Sequence, residues 1–250
     1  MERRTAAETR ALLIEIGVAM LHEQGVTAGV SHIRLKDVLK RAGLTTGAAY
    51  RLWSDQSAFH RDLAVAATGW RDDNPIASTV GAIRHLVDEK APLHEVIRQG
   101  AVAHIDGLTG VTGEDGRPGS TFLTTLALRA TAAFDDDLQA ASRARHEESV
   151  DSFAELYAML LTVYQRRMRP PFTVRHLTVA LAAVGEGFAL QAIEGETHPV
   201  VTAALEGAGD AEAWTLMGVA LWAIANAMTE PADAVADDLA DAPEATTTER

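Results

Sequence analysis

The residues of this 250-residue chain best suited to chemistry lie between Arg34 and Trp53, and they suit contact with a polyanion. Thr45 and Thr46 place hydroxyls beside the free N–H groups of a helix start, where a phosphate or a base edge can be met. Gly47 and Ala48 are small enough to let the backbone approach a groove floor. Tyr50 joins a packing ring to a hydroxyl that can reach a phosphate, and Arg51 suits a guanine edge or a phosphate. Spacing alone also fits a plain corner between two helices of a bundle.

Other reactive types are present without a pattern that converges. Asp135, Asp136 and Asp137 are consecutive, so on a helix they point about 100° apart and do not share one metal. Leu138 and Gln139 follow, which leaves a charged helix start favourable to the macrodipole. The nine histidines include no pair at i, i+4 with a carboxylate in the zinc-protease pattern. No glycine-rich phosphate loop or nucleophile elbow occurs, and Gly113–Gly116 is a turn-forming stretch. The absence of cysteine excludes disulfides, iron–sulfur clusters, Cys-ligated zinc and thiol catalysis. Neither an enzyme, a metal nor a cofactor is expected, with an all-α metal-dependent enzyme kept as a remote alternative.

The net charge of −13 would discourage a nucleic-acid partner if it were evenly spread. It is not. Residues 1–70 hold nine Lys or Arg against seven acids, a balance of +2, so the rest of the chain carries −15. A mildly basic N-terminal part on an acidic body is expected to meet a polyanion at one end only.

The elements that must position these residues read as helices. Leu12, Leu13, Ile16, Ala19 and Met20 form one stripe, ended by Gly25. Leu35, Val38, Leu39 and Ala42 form a second, ended by Gly43, whose freedom at positive φ lets the chain swing sharply. Leu44 then plugs the space between helices. Thr45 or Thr46 caps a third helix with Ala49, Tyr50 and Trp53 inward. Ser54 or Asp55 caps a fourth that carries Phe59, Leu63, Ala66, Ala67 and Trp70 on one side. Helices are expected near 76–90, 93–108, 120–134, 136–168, 173–194 and 211–228, with loops at Gly110–Gly119 and Gly195–Asp210. No alternating strand is expected. The longest nearly continuous apolar run, Ala213 to Met228, is shorter than the roughly 18–20 residues that span a bilayer, so no membrane is expected. The tail 229–250 holds seven acids and is expected to be disordered.

A short helix, a glycine turn and a second short helix over 34–53 make a helix-turn-helix, whose second helix enters the DNA major groove. From about Thr9 to Ala66 the chain resembles the DNA-binding domain of TetR-type regulators, the tetracycline-repressor-like family. The matching words are Ala42-Gly43-Leu44-Thr45-Thr46-Gly47-Ala48-Ala49-Tyr50-Arg51-Leu52-Trp53 and Ser54-Asp55-Gln56-Ser57-Ala58-Phe59. The resemblance covers about a quarter of the chain and departs from the family at three places. Gln56 stands where the family has a phosphate-binding lysine; it can donate a hydrogen bond to a phosphate but carries no charge, so that contact is expected to be weaker and less salt-dependent. Leu52 replaces an aromatic or histidine. Ile33-Arg34 stands where a threonine caps the second helix. Phosphate binding would then lean on Arg34, Lys36 and an arm at Arg3 and Arg4.

The resemblance implies an all-α protein with a three-helix DNA-binding domain over 6–66, a helical effector-binding and dimerisation domain over 67–228, and the acidic tail. It implies a cytoplasmic homodimer on double-stranded operator DNA, a repressor released by a small molecule. A helical scaffold of the same architecture without DNA binding is the alternative. The effector candidates, on helical faces where the family places its ligand, are Trp70, Phe122, Leu126, Arg129, Phe153, Tyr157, Leu160 and Tyr164. They would line a largely apolar pocket in which Arg129 meets either a ligand carboxylate or a structural acid. The segments from Val174 to Leu190 and from Trp214 to Met228 are apolar nearly all round and need cover on two faces. Leu181, Val184, Phe188, Trp214 and Trp222 are accordingly the expected interface between two copies.

Overall fold

The computed structural model describes residues 4–25, 29–49, 51–70, 74–110, 120–131 and 135–233. In order these form α1 (Ala6–Gln24), α2 (Leu35–Ala42), α3 (Thr46–Ala49), α4 (Gln56–Gly69), α5 (Asn74–Asp88), α6 (Leu93–Thr109), α7 (Ser120–Thr131) and α8 (Asp136–Val163). There follow β1 (Arg166–Met168), α9 (Val174–Ile193), β2 (Val200–Ala203), β3 (Glu212–Thr215), α10 (Leu216–Met228) and β4 (Thr229–Pro231). Helices dominate, as periodicity predicts.

The strands are a correction. β1 pairs antiparallel with β4, and β2 with β3. The helix expected to reach residue 168 stops at Val163, because Gln165 adopts φ 50° and the next three residues pair with 229–231. The helix expected from 211 starts at Leu216, since Glu212–Thr215 is spent in β3. β2 occupies part of the expected loop 195–210. Strands of three or four residues are too short for an alternation to be read.

The expected disordered tail also starts too early. Thr229 is 1% exposed and opens β4. It lies at the C-terminus of α10, where Arg166 donates to Asn226 Oδ1, Thr229 Oγ1 and the Thr229 carbonyl, and Arg169 donates to the same carbonyl. Two cations thus meet the negative end of the helix dipole. Burial, with the like charge of Arg169, pushes the Arg166 guanidinium below its usual range. Residues 234–250 of the expected tail, 111–119 of the expected loop and 132–134 of the expected helix lie outside the described residues.

The chain divides into two compact units. The first comprises 1–80, 103–149 and 187–197; the second comprises 81–102, 150–186 and 198–250.

In the first unit α1, α2 and α4 enclose Leu13, Leu21, Ile33, Val38, Leu39, Phe59 and Leu63, with Leu128 of α7 in the same core. Helix starts are well satisfied. Thr5 and Glu8 form a reciprocal capping box on α1, and Asp55 Oδ1 accepts from the Ala58 N–H at the start of α4. Asp135 Oδ1 likewise accepts from Leu138 N–H at the start of α8. At Gly17 a Cβ would lie 3.0 Å from Leu63 Cδ1 and 3.4 Å from Phe59 Cζ, so the missing side chain is what lets α1 and α4 approach.

In the second unit Trp214 (0% exposed) and Trp222 (5%) pack with centroids 6.3 Å apart, against Leu93, Ile97, Val201, Leu205 and Val219. Trp222 Nε1 donates to the Glu206 carbonyl at 3.0 Å. Leu181 is buried with Leu177 and Met228. These three expected interface residues therefore fill the chain's own interior: an indole surrounded on all sides has no surface left for a partner. Val184 and Phe188 are half-buried. By length and composition α9 could cross a membrane, yet only 28% of its apolar stretch is buried within the chain.

Candidate nucleic-acid interface

The turn between α2 and α3 forms as its residues require. Gly43 takes the left-handed conformation (φ 66°, ψ 28°) and closes α2 with its N–H on the Leu39 and Lys40 carbonyls. Leu44 turns inward against the core enclosed by α1, α2 and α4, which together with α3 form the head of the first unit. α3 is a single turn, and its two sides are distinct. Thr45, Thr46 and Gly47 are exposed, and a Cβ at Gly47 would meet nothing within 4 Å. Ala49 (3% exposed) and Trp53 (5%) face the core. Arg51 is exposed and Leu52 half-buried. Tyr50 and the side chain of Ala48 lie outside the described residues.

The seven Lys and Arg residues from Arg10 to Arg61 fall into two sets. Arg10, Arg41 and Arg61 are engaged by acids. Arg41 makes a two-pronged pair with Glu23 at 2.6 Å, Arg10 reaches Asp62 at 2.5 Å, and Arg61 lies 3.8 Å from Asp135. The Arg41 contact holds the Glu23 carboxyl below its usual range. Arg34, Lys36, Lys40 and Arg51 are exposed and have no acid partner among the described residues. Three of these four lie on or at the start of α2, with Asp37 the acid on the same short helix, and the fourth follows the turn.

Two side chains fix this arrangement, one that the sequence did not signal and one to which the sequence assigned a different role. One is Asp62 of α4, a single carboxylate oxygen of which accepts three N–H groups from two residues: Nε and Nη2 of Arg10 on α1, and the indole N–H of Trp53, which follows α3. Phe59 meets Trp53 edge-on at 5.2 Å. Nothing in the spacing of residues 10, 53 and 62 signals that they meet. The other is Gln56, expected on a phosphate. Its Oε1 accepts from Leu35 N–H at 3.2 Å and its Nε2 donates to the Ile33 carbonyl at 3.1 Å. His60, one turn along α4, brings Nε2 to 2.9 Å from the same carbonyl.

The effector candidates are divided between the two units. Trp70, Phe122, Leu126 and Arg129 belong to the first; Phe153, Tyr157, Leu160 and Tyr164 belong to the second. Trp70 is 37% exposed, meets the His22 ring at a tilt of 40° with centroids 4.2 Å apart, and accepts from Arg145 at its carbonyl. Phe122, Leu126 and Arg129 are half-buried on α7. Phe153 and Tyr157 stack at 6.1 Å, and burial pushes the Tyr157 phenol upward. Tyr164 donates to the Ala91 carbonyl at 2.9 Å, and Leu160 is half-buried.

No protein-family model matches the chain, and no curated protein matches it. Among solved structures the chain is similar to a protein assigned to the TetR family of transcriptional regulators from Rhodococcus sp. That likeness has 16% identity and a TM-score of 0.45, and covers 76% of this chain and 90% of the other. It is also similar to a protein assigned as a transcriptional regulator from Pseudomonas aeruginosa PAO1. There the identity is 15% and the TM-score 0.43, with 95% and 92% of the two chains covered. Neither likeness assigns an activity to this chain.

Proposed function

We propose that the chain is a DNA-binding transcriptional regulator of TetR type, with residues 6–66 as its DNA-reading domain and 67–228 as its effector and dimerisation domain. One observation carries this reading. Thr45, Thr46, Gly47 and Arg51 face solvent on a segment whose opposite side, Ala49 and Trp53, is locked into the head core. At the start of the preceding helix Arg34 and Lys36 offer charge that no acid engages among the described residues. An exposed edge with hydroxyls, a bare backbone and available cations suits a groove flanked by phosphates.

The working unit is a homodimer. Support comes from α9, which is apolar yet mostly uncovered, and from its exposed Val179, Ala183 and Gly187, whose spacing of four puts them on one face. Two such heads must stand roughly 34–36 Å apart to enter successive major grooves. A small, largely apolar effector that binds a differently spaced conformation better lowers operator affinity by its differential binding energy, which makes the protein a cytoplasmic repressor.

A gel-shift titration on the duplex upstream of the chain's own reading frame tests the proposal. Specific retardation is expected, reduced roughly 10-fold or more by Arg51→Ala with unchanged thermal stability. A wild-type chain that retards this duplex no better than random DNA would contradict it.

A further inference from the structure

Helix α2 begins at an unusual residue. Arg34 occupies the cap position with extended backbone (φ −85°, ψ 132°), and its side chain makes no cap hydrogen bond. A Ser, Thr, Asp or Asn there would satisfy one of the free N–H groups of the first turn; arginine, which only donates, cannot. An acceptor for a different N–H of that turn, the one of Leu35, comes from α4. The Gln56 amide bridges the two peptide groups that flank Arg34, accepting from the Leu35 N–H and donating to the Ile33 carbonyl. His60 closes on that carbonyl and on Gln56 Nε2, at 2.9 Å and 2.7 Å. The main chain on either side of Arg34 is thereby pinned, while Arg34 itself stays exposed.

We infer that Gln56 is a positioning residue, an external cap for α2 that frees the cap position to carry a phosphate-facing arginine. The two positions divide the work: Gln56 supplies the hydrogen bonds that start the helix, and Arg34 supplies the charge. DNA affinity then depends on Gln56 through the placement of α2 and the turn that follows, without contact between its amide and DNA. The first half of this inference stands on the hydrogen bonds alone; the phosphate-facing role of Arg34 rests on the proposed function.

The test uses the full chain and two readouts. Amide hydrogen exchange at Leu35 reports the cap, and affinity for the upstream duplex as a function of salt reports the charge. Gln56→Ala should speed Leu35 exchange about fivefold to tenfold and weaken duplex binding with the salt slope unchanged. Arg34→Thr should leave exchange no faster while flattening the salt slope by about one unit. When Arg34→Thr is combined with Gln56→Ala, the introduced hydroxyl caps α2 directly. That double variant should regain the thermal midpoint lost in Gln56→Ala, with duplex affinity no higher than that of Arg34→Thr alone. Wild-type exchange in Gln56→Ala overturns the cap. So does weaker duplex binding of that variant with exchange unchanged, which would place the amide on DNA. An unaltered salt slope in Arg34→Thr overturns the division of work. If wild-type chain binds no duplex while Gln56→Ala still loosens Leu35, the regulator proposal falls and the cap stands.

Discussion

Trp53 donates its indole N–H to the carboxylate of Asp62, and this contact ties the end of the exposed segment to α4. Arg10 donates to the same oxygen from α1, so one carboxylate sets the relation of three parts of the head. An asparagine could accept from one of these donors but would leave the guanidinium without its counter-charge. Asp62→Asn is expected to cost about 1–3 kcal/mol of stability, read from denaturant unfolding. It should also weaken duplex binding, because the segment from Thr45 to Trp53 loses its anchor. An unchanged unfolding midpoint would show that the triad contributes nothing.

Acid should loosen the head through two helix caps and one ion pair. Glu8, Glu23 and Asp55 are held below their ordinary values of 4.5, 4.5 and 3.8. The causes are the Thr5 N–H, the Arg41 guanidinium and the Ala58 N–H respectively. A carboxyl depressed in the folded state contributes stability above its unfolded value and loses it as pH falls through the folded one. The thermal midpoint is therefore expected to be level down to about pH 5 and to fall below it. Asp55→Ala should lower the midpoint at neutral pH and make the acid limb shallower. A midpoint that rises between pH 5 and pH 3 would refute this.

The interior position of the tryptophans separates two outcomes that a dimer-interface role would merge. Trp222→Ala removes a 5%-exposed side chain and should cost about 3–5 kcal/mol, seen as unfolding of the chain itself. Val179→Glu places a charge on the exposed face of α9, where Val179 is 41% exposed. It should yield folded monomers by sedimentation, with helical circular dichroism retained. A Val179→Glu chain that stays dimeric would remove α9 from the interface.

What was legible beforehand follows from range. The helices declare themselves through local periodicity, and the turn through Gly43, whose positive φ the sequence anticipates at a single residue. The cap at Asp55 and the helix start at Asp135 are equally local. The strands were not legible, because three-residue runs such as Arg166–Met168 carry no period and acquire their partner some 60 residues later. The same holds at the interface. Thr45, Thr46 and Arg51 are recognisable by type, but the role of Gln56 depends on backbone groups 21 and 23 residues away. The family resemblance implied a phosphate contact; the fold directs its amide to the start of α2. Trp214 and Trp222 misled for a related reason: an apolar helix must be covered, but its sequence does not say whether by its own chain or by another.

The chain has no cysteine, so a single thiol can carry a DNA-cleaving iron chelate to one known place. With Thr46→Cys so labelled and bound to the upstream duplex, the account predicts two focused sets of strand breaks about one helical turn apart, one from each protomer. The same label on Val200→Cys, at the most exposed large apolar position among the described residues (63%), should give none. Diffuse cleavage from Thr46→Cys, or equal cleavage from both positions, would contradict the claim that the segment opening at the paired threonines is the surface that enters DNA.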